Sequence, residues 1–179
     1  IPGLVGSEMC IRDRYIAMHA QHDSAELRGM YLDIPNEGLL SDELSKNLIH
    51  GYYASVTYMD VLIGELINGL DELGLRENTT IVLWSDHGYF LGEHGFWCKH
   101  STFQEAAKIP LIISSPSYIK NKKTDSFTEL VDIYPTLCEI AQITPPTYIH
   151  GKSLTPVLKN PSISLKDEIY TRYKEGEAI

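Results

Sequence analysis

An α/β fold is predicted by three features of the sequence: a long stretch of helical apolar spacing, two short uninterrupted apolar runs, and a further helical pattern after them. The long helix carries its own start and stop. Ser41 is placed to cap it, and Asp42 and Glu43 fall in the first turn, where the helix dipole favours negative charge. Apolar residues then recur in steps of three and four, at Leu44, Leu48, Tyr52, Val56, Met59, Ile63, Leu66, Leu70 and Leu73. Asn68-Gly69 is a turn-forming pair, yet the spacing runs through it, so one helix is expected up to a C-cap at Gly74.

The runs "TIVLW" (80–84) and "IPLIIS" (109–114) are short, rich in β-formers and free of polar alternation. That pattern fits strands buried on both faces, as in a parallel sheet under helices. A short helical stretch is expected around 104–108 and a third helix over 130–141, with Pro135 near its start. Segments 33–40 and 116–127 read as loops, the second of them basic, and 144–161 reads as a Pro-rich wrap. Internal repeats and a clean domain boundary are not visible. Tyr52, Tyr53 and Tyr58 are expected to pack the long helix against the sheet, and His50 and His150 read as structural.

Composition limits the function. A net charge of −9 and the lack of a Lys/Arg run argue against a nucleic-acid surface. No apolar stretch approaches the roughly 20 residues that cross a bilayer. Cys10, Cys98 and Cys138 form no CxxC pair, so free thiols are the default.

The segment "VGSEMCIRD" (5–13) shows neither helical nor strand periodicity. It matches, residue for residue, the translated end of a transposase adapter used to prepare sequencing libraries, and Arg14 is compatible with the same reading. Residues 1–14 are therefore expected to be a non-native library artefact, with native sequence beginning near Tyr15. Cys10 is discounted as a functional residue on this ground.

The chemistry concentrates in "WSDHGYFLGEHGFWCKH" (84–100). Asp86 and His87 fall just past the first apolar strand, where ligands of α/β sheets bind. Carboxylate oxygen and imidazole nitrogen are both metal ligands, and Gly88 permits an unusual backbone path immediately afterwards. Lys99 ends the loop as a long cation able to reach an anionic ligand. A divalent cation plus a lysine suits an oxyanion ester, sulfate or phosphate, where charge develops on the transferred group. A helix-capping aspartate and a structural histidine would explain the same residues without any catalysis. Two ligands do not complete a metal site, so further ones would come from elsewhere. His94, Trp97 and His100 are weaker candidates for substrate contact, each set against a packing role. Glu93 is expected to hydrogen-bond its own glycine loop.

The helix motif "YYASVTYMD", the block "SDHG…LGEHG…W.K", and the later "LVDIYPTLCEI" and "HGKSLTPVL" together resemble the sulfatase family of the alkaline-phosphatase-like superfamily. Within it the likeness is nearest to iduronate-2-sulfatase and its bacterial relatives. The resemblance runs from about Arg28 to Arg172. It implies an alkaline-phosphatase-like fold, with a mixed or parallel sheet flanked by helices and present here as a fragment. Residues 15–179 would be the C-terminal part of the catalytic domain, cut at both ends. It further implies Asp86 and His87 as ligands of a divalent metal and Lys99 as the residue contacting sulfate. The metal would be calcium, with manganese or zinc as alternatives because His87 is a nitrogen donor.

The implied nucleophile is a formylglycine made from the cysteine of a Cys-x-Pro/Ala-x-Arg motif, expected upstream and not within this chain. Cys10 is followed by "IRDR", with Arg12 where the motif needs Pro or Ala, and the sequences after Cys98 and Cys138 do not match at all. The substrate class implied is a sulfated sugar or polysaccharide, and such enzymes work in the periplasm, outside the cell or in lysosomes. A phosphonate or phosphodiester hydrolase of the same superfamily, and a non-catalytic binding homologue, are the alternative readings. Genomic reads across the junction at residue 15 are expected to show a different sequence running into Tyr15. An authentic genomic match through Val5 to Arg14 would overturn that expectation.

Overall fold

A computed structural model describes residues 25–174 and 176–179. Segment 1–14 and Cys10 lie outside the described residues. In chain order the elements are α1 (Ala25–Met30), α2 (Asp42–Glu72), β1 (Ile81–Trp84), β2 (Phe90–Leu91), β3 (Trp97–Cys98), α3 (Gln104–Ala107), β4 (Leu111–Ser114), α4 (Ile133–Ile140), α5 (Thr155–Lys159), β5 (Thr171–Tyr173) and β6 (Gly176–Ala178). Single 3-10 turns occupy Arg76–Asn78, Glu93–Gly95 and Leu130–Asp132. The described residues form two compact units, one of 25–70 and 87–108, the other of 71–86 and 109–179.

Helix α2 begins and ends on the residues that the sequence singles out. Ser41 Oγ accepts the Leu44 amide at 3.2 Å, and the Ser41 carbonyl accepts the Ser45 amide at 2.9 Å. The helix continues through Asn68-Gly69. At its end Gly74 takes a φ of 66°, a left-handed conformation that costs glycine little, and its N–H returns to Asp71 O at 3.0 Å. None of the helix is fully buried. Tyr52 stacks on Tyr89 with ring centroids 5.3 Å apart, whereas Tyr53 and Tyr58 face solvent instead of packing on a sheet.

The core of the first unit sits under a small hairpin. Strands β2 and β3 pair antiparallel, Phe90 opposite Cys98 and Leu91 opposite Trp97. Leu27, Ile34, Trp97 and Cys98 form one buried cluster, covered by Leu44, Leu48 and Ile49 of α2. Phe90, Phe96 and Ala106 form a second, with Phe103 stacked on Phe96 at 5.6 Å. The α1 helix was not foreseen. It is six residues long, too short to show periodicity, and its Leu27 anchors it to the cluster. The Arg28 guanidinium then closes the loop after it by donating to the carbonyls of Pro35 and Gly38.

In the second unit, β1 and β4 pair antiparallel, from Ile81 opposite Ser114 to Trp84 opposite Leu111. This corrects the parallel arrangement expected from the apolar runs: every strand pair among the described residues is antiparallel. Burial on both faces is corrected too: no residue of β1 or β4 is fully buried among the described residues, and Leu83, Trp84 and Ile112 are exposed. The helix expected over 130–141 appears as a 3-10 turn followed by α4, with Pro135 in its first turn. Two elements were missed. Helix α5 lies inside the Pro-rich wrap, with Pro156 in its first turn, where a missing N–H costs nothing. The β5–β6 hairpin, Thr171 opposite Ala178, was not foreseen either.

This unit is stitched by one fully buried carboxylate. Asp132 Oδ1 accepts the Lys152 amide at 2.8 Å, and Oδ2 accepts the Glu129 amide at 2.9 Å. The Lys166 ammonium bonds both oxygens, at 2.9 and 2.7 Å, and pairs with Glu129 as well. Thr136 accepts the Leu154 amide at 2.8 Å while donating to Asp132 O at 2.5 Å. Segments 129–136 and 151–170 are thereby tied together, and Gly151 lies so close that a Cβ would collide with the Val131 carbonyl oxygen.

Asp132→Ala is expected to lower the unfolding free energy of this unit by about 3–5 kcal/mol, because it leaves the Lys166 ammonium with Glu129 alone and strands two buried amide donors. Urea titration reads the loss. Burial alone would weaken the hold of Lys166 on its proton, but the hydrogen bonds and charges of Asp132 and Glu129 outweigh it and raise its pKa above the ordinary 10.5. The folded form binds that proton more tightly than the unfolded one, so this stabilisation is complete below 10.5 and is lost as pH rises through the higher folded value. Unfolding midpoints followed into alkaline pH should fall more steeply for the wild type than for Lys166→Met.

Candidate functional site

The block 84–100 starts on a rigid strand and then leaves it abruptly. Gly88 shows how. Its N–H donates to Ala106 O at 2.8 Å, and a Cβ there would collide with the Glu105 carbonyl oxygen. The chain after His87 therefore lies backbone to backbone against the short helix α3, an approach that only glycine allows.

His87 is half-buried, and its Nδ1 lies 2.7 Å from Gly88 O. A carbonyl oxygen only accepts, so Nδ1 carries the hydrogen and Nε2 of the neutral ring carries the lone pair. Histidines that do ligate metals commonly have their other ring nitrogen pinned by an acceptor in this way. Asp86 precedes it, exposed, two residues past the end of β1. Among the described residues no three or more His, Cys, Asp or Glu side chains gather into a metal-holding group. The donor chemistry of Asp86 and His87 suits part of a divalent cation's shell, and a cation of this kind takes four or more ligands.

The loop that follows is shaped by left-handed residues. Gly92 has a φ of 107°, Gly95 of 78° and His94 of 57°. Glu93 accepts the Leu91 amide at 2.6 Å, the loop-anchoring role expected of it. His94 Nε2 is 3.2 Å from Glu105 Oε1, and its ring sits edge-on to Phe96 and Phe103. Trp97 is only 6% exposed, packed in the core cluster and against Gly92.

Cys98 is a free, fully buried thiol. Burial pushes its pKa up, the nearby Glu26 charge adds to that, and the Tyr89 hydroxyl 3.5 Å away opposes it. A thiol held protonated in this way is a poor nucleophile, in keeping with its failure to match the nucleophile motif. Tyr89 is itself shifted upward, chiefly by burial and then by its contacts with Cys98 and Tyr31.

Lys99 and His100 converge on one partner. Lys99 Nζ donates to Glu26 Oε1 at 2.7 Å, and His100 Nε2 lies 3.2 Å from Glu26 Oε2. The structure thus brings Lys99 and His100 together and places His94 on Glu105. Glu26 was missed by the sequence reading: it is a single acidic residue in an unpredicted one-turn-and-a-half helix, with no motif around it.

Comparison with known proteins now bears on these residues. The sulfatase family profile matches residues 13–143. The N-acetylglucosamine-6-O-sulfatase of Bacteroides thetaiotaomicron is 36% identical over 151 residues, covering 84% of this chain and 26% of that protein. Mouse iduronate 2-sulfatase is 29% identical over 146 residues, covering 68% of this chain and 26% of that protein. Among solved structures, a protein in complex with its substrate D-glucosamine-2-N,6-O-disulfate is 36% identical, with a TM-score of 0.69 over 76% of this chain and 29% of that one. The phosphonate monoester hydrolase of Silicibacter pomeroyi is 27% identical, with a TM-score of 0.78 over 96% of this chain and 33% of that one. The chain spans about a quarter of the length of the curated relatives it matches. These neighbours carry the alkaline-phosphatase-like fold expected from the motifs, here as a partial domain of helices and small antiparallel sheets. The matched span contains Asp86, His87, Lys99 and the whole loop between them, and the chain belongs to the sulfatase family.

Proposed function

We propose that the chain is the C-terminal part of the catalytic domain of a metal- and formylglycine-dependent sulfatase that hydrolyses a sulfate ester on a sugar. Support comes foremost from the Asp86–His87 pair beyond β1, inside the family-matched span, with His87 Nδ1 hydrogen-bonded to Gly88 O. In this reading Asp86 and His87 contribute two ligands to a divalent metal, calcium on the family likeness. The metal would neutralise charge on the ester oxygens. Lys99 binds the sulfate head through its ammonium, and His94 and His100 line the sugar side, whereas Trp97, buried in the core cluster, packs instead of meeting substrate. The nucleophile belongs to sequence upstream of this chain.

The sugar is a hexosamine or a uronate. Relatives named for N-acetylglucosamine 6-O-sulfate and for iduronate 2-sulfate both support the class, and the residues here do not rank one over the other. A second reading, a phosphonate monoester hydrolase, is favoured by the neighbour that covers 96% of the chain. Both esters present a tetrahedral anionic head to a cation and a lysine, so one scaffold suits either.

The 179-residue chain alone is expected to turn over no aryl sulfate, and measurable turnover by the purified chain would refute the missing-nucleophile reading. In the polypeptide extended upstream through the nucleophile motif, Asp86→Asn and His87→Ala should each deplete bound metal in elemental analysis. Metal retained at wild-type stoichiometry would remove both residues from the ligand set. Hydrolysis assays on 6-O-sulfated glucosamine, 2-O-sulfated iduronate and a phosphonate monoester then separate the two chemistries.

A further inference from the structure

Lys99 and His100 follow β3 on consecutive residues, and both end on the carboxylate of Glu26 in the first turn of α1. Each oxygen has its own partner, Oε1 with Lys99 Nζ at 2.7 Å and Oε2 with His100 Nε2 at 3.2 Å. The three side chains retain 20–33% of their exposure, so the group is partly withdrawn from water, and ionic hydrogen bonds gain strength there. An ionised carboxylate only accepts, which makes His100 Nε2 a donor. Neither side chain can swing away without giving up its bond.

The backbone beneath is fixed as well. Cys98, with a φ of 67°, and Trp97 are buried against Leu27, the residue after Glu26. Acceptor and donors therefore project from neighbouring positions of one packed cluster. A lysine ammonium carries three donors, and its bond to Glu26 does not exhaust them. A long, flexible side chain is by this means given one preferred direction before any ester arrives.

We infer that Glu26 is a positioning residue: its carboxylate, held on its other oxygen by His100 Nε2–H, aims the Lys99 ammonium at the anionic head of the ester. The inference rests on the sulfatase reading of Lys99 and adds to it the residue through which the lysine is aimed. It involves no bond making, and Glu26 itself does not touch substrate.

Two measurements test it. In the 179-residue chain, the rate at which an amine-reactive acetylating reagent labels Lys99, read by mass spectrometry, should rise roughly tenfold in Glu26→Gln and return most of the way in Glu26→Asp. Circular dichroism of the same variants checks that the fold is kept. In the polypeptide extended through the nucleophile motif, Glu26→Gln should lower kcat/KM for an aryl sulfate by about tenfold or more, chiefly through kcat, with partial rescue by Glu26→Asp. Wild-type labelling and wild-type turnover in Glu26→Gln, alongside a large loss in Lys99→Ala, would overturn the positioning role alone. Unchanged turnover in Lys99→Ala would overturn the reading beneath it, whatever the labelling shows.

Discussion

The loop that carries the chemistry depends on a place where two stretches of backbone touch with no side chain between them. Gly88 rests against the carbonyl of Glu105 and hydrogen-bonds to Ala106. The same short helix supplies the Glu105 carboxylate to His94. Four residues of helix thus organise both the beginning of the loop, next to His87, and its tip. A helix of this length has almost no stability of its own. It is held because Ala106 is buried with Phe90 and Phe96, so aromatic packing beneath the loop sets the path of the polar residues above it.

That dependence explains the unusual backbone density of the segment. Gly92, His94, Gly95 and Cys98 all take positive φ within seven residues of chain. Glycine does so freely, whereas histidine and cysteine at such angles carry strain that surrounding contacts must offset. His94 has Glu105, Phe96 and Phe103 around it, and Cys98 is enclosed by the core. Strain concentrated where chemistry is expected fits a loop selected for where its side chains point.

The sequence disclosed those parts of the molecule whose cause is local. Ser41 and Gly74 bound the long helix because capping and left-handed termination act within a turn, and Glu93 closed on its own loop for the same reason. The family was legible because several motifs recur together at fixed spacing. Strand direction was not legible, since the apolar runs Ile81–Trp84 and Leu111–Ser114 carry no vector, and their apolar character did not bury them among the described residues. Helices α1 and α5 span fewer than two turns, too few for a helical period to repeat. Glu26 escaped because it lies 73 residues from Lys99 in sequence, and only folding makes them neighbours. Asp132 escaped likewise: an acidic residue in "LVDIYP" gives no hint that it will be sealed from water with four bonds to satisfy it.

The long helix has a colloidal consequence. Tyr53, Val56, Tyr58, Met59 and Leu66 all meet solvent along it, a strip of oily surface left open among the described residues. Mutual repulsion between copies is what keeps such strips apart, and it derives from a charge of −9. Acidification toward the isoelectric point near 5.2 cancels that repulsion while leaving the strip unchanged. Handling of the isolated polypeptide is therefore safest in alkaline, low-salt buffer, where like-charged copies hold each other in suspension.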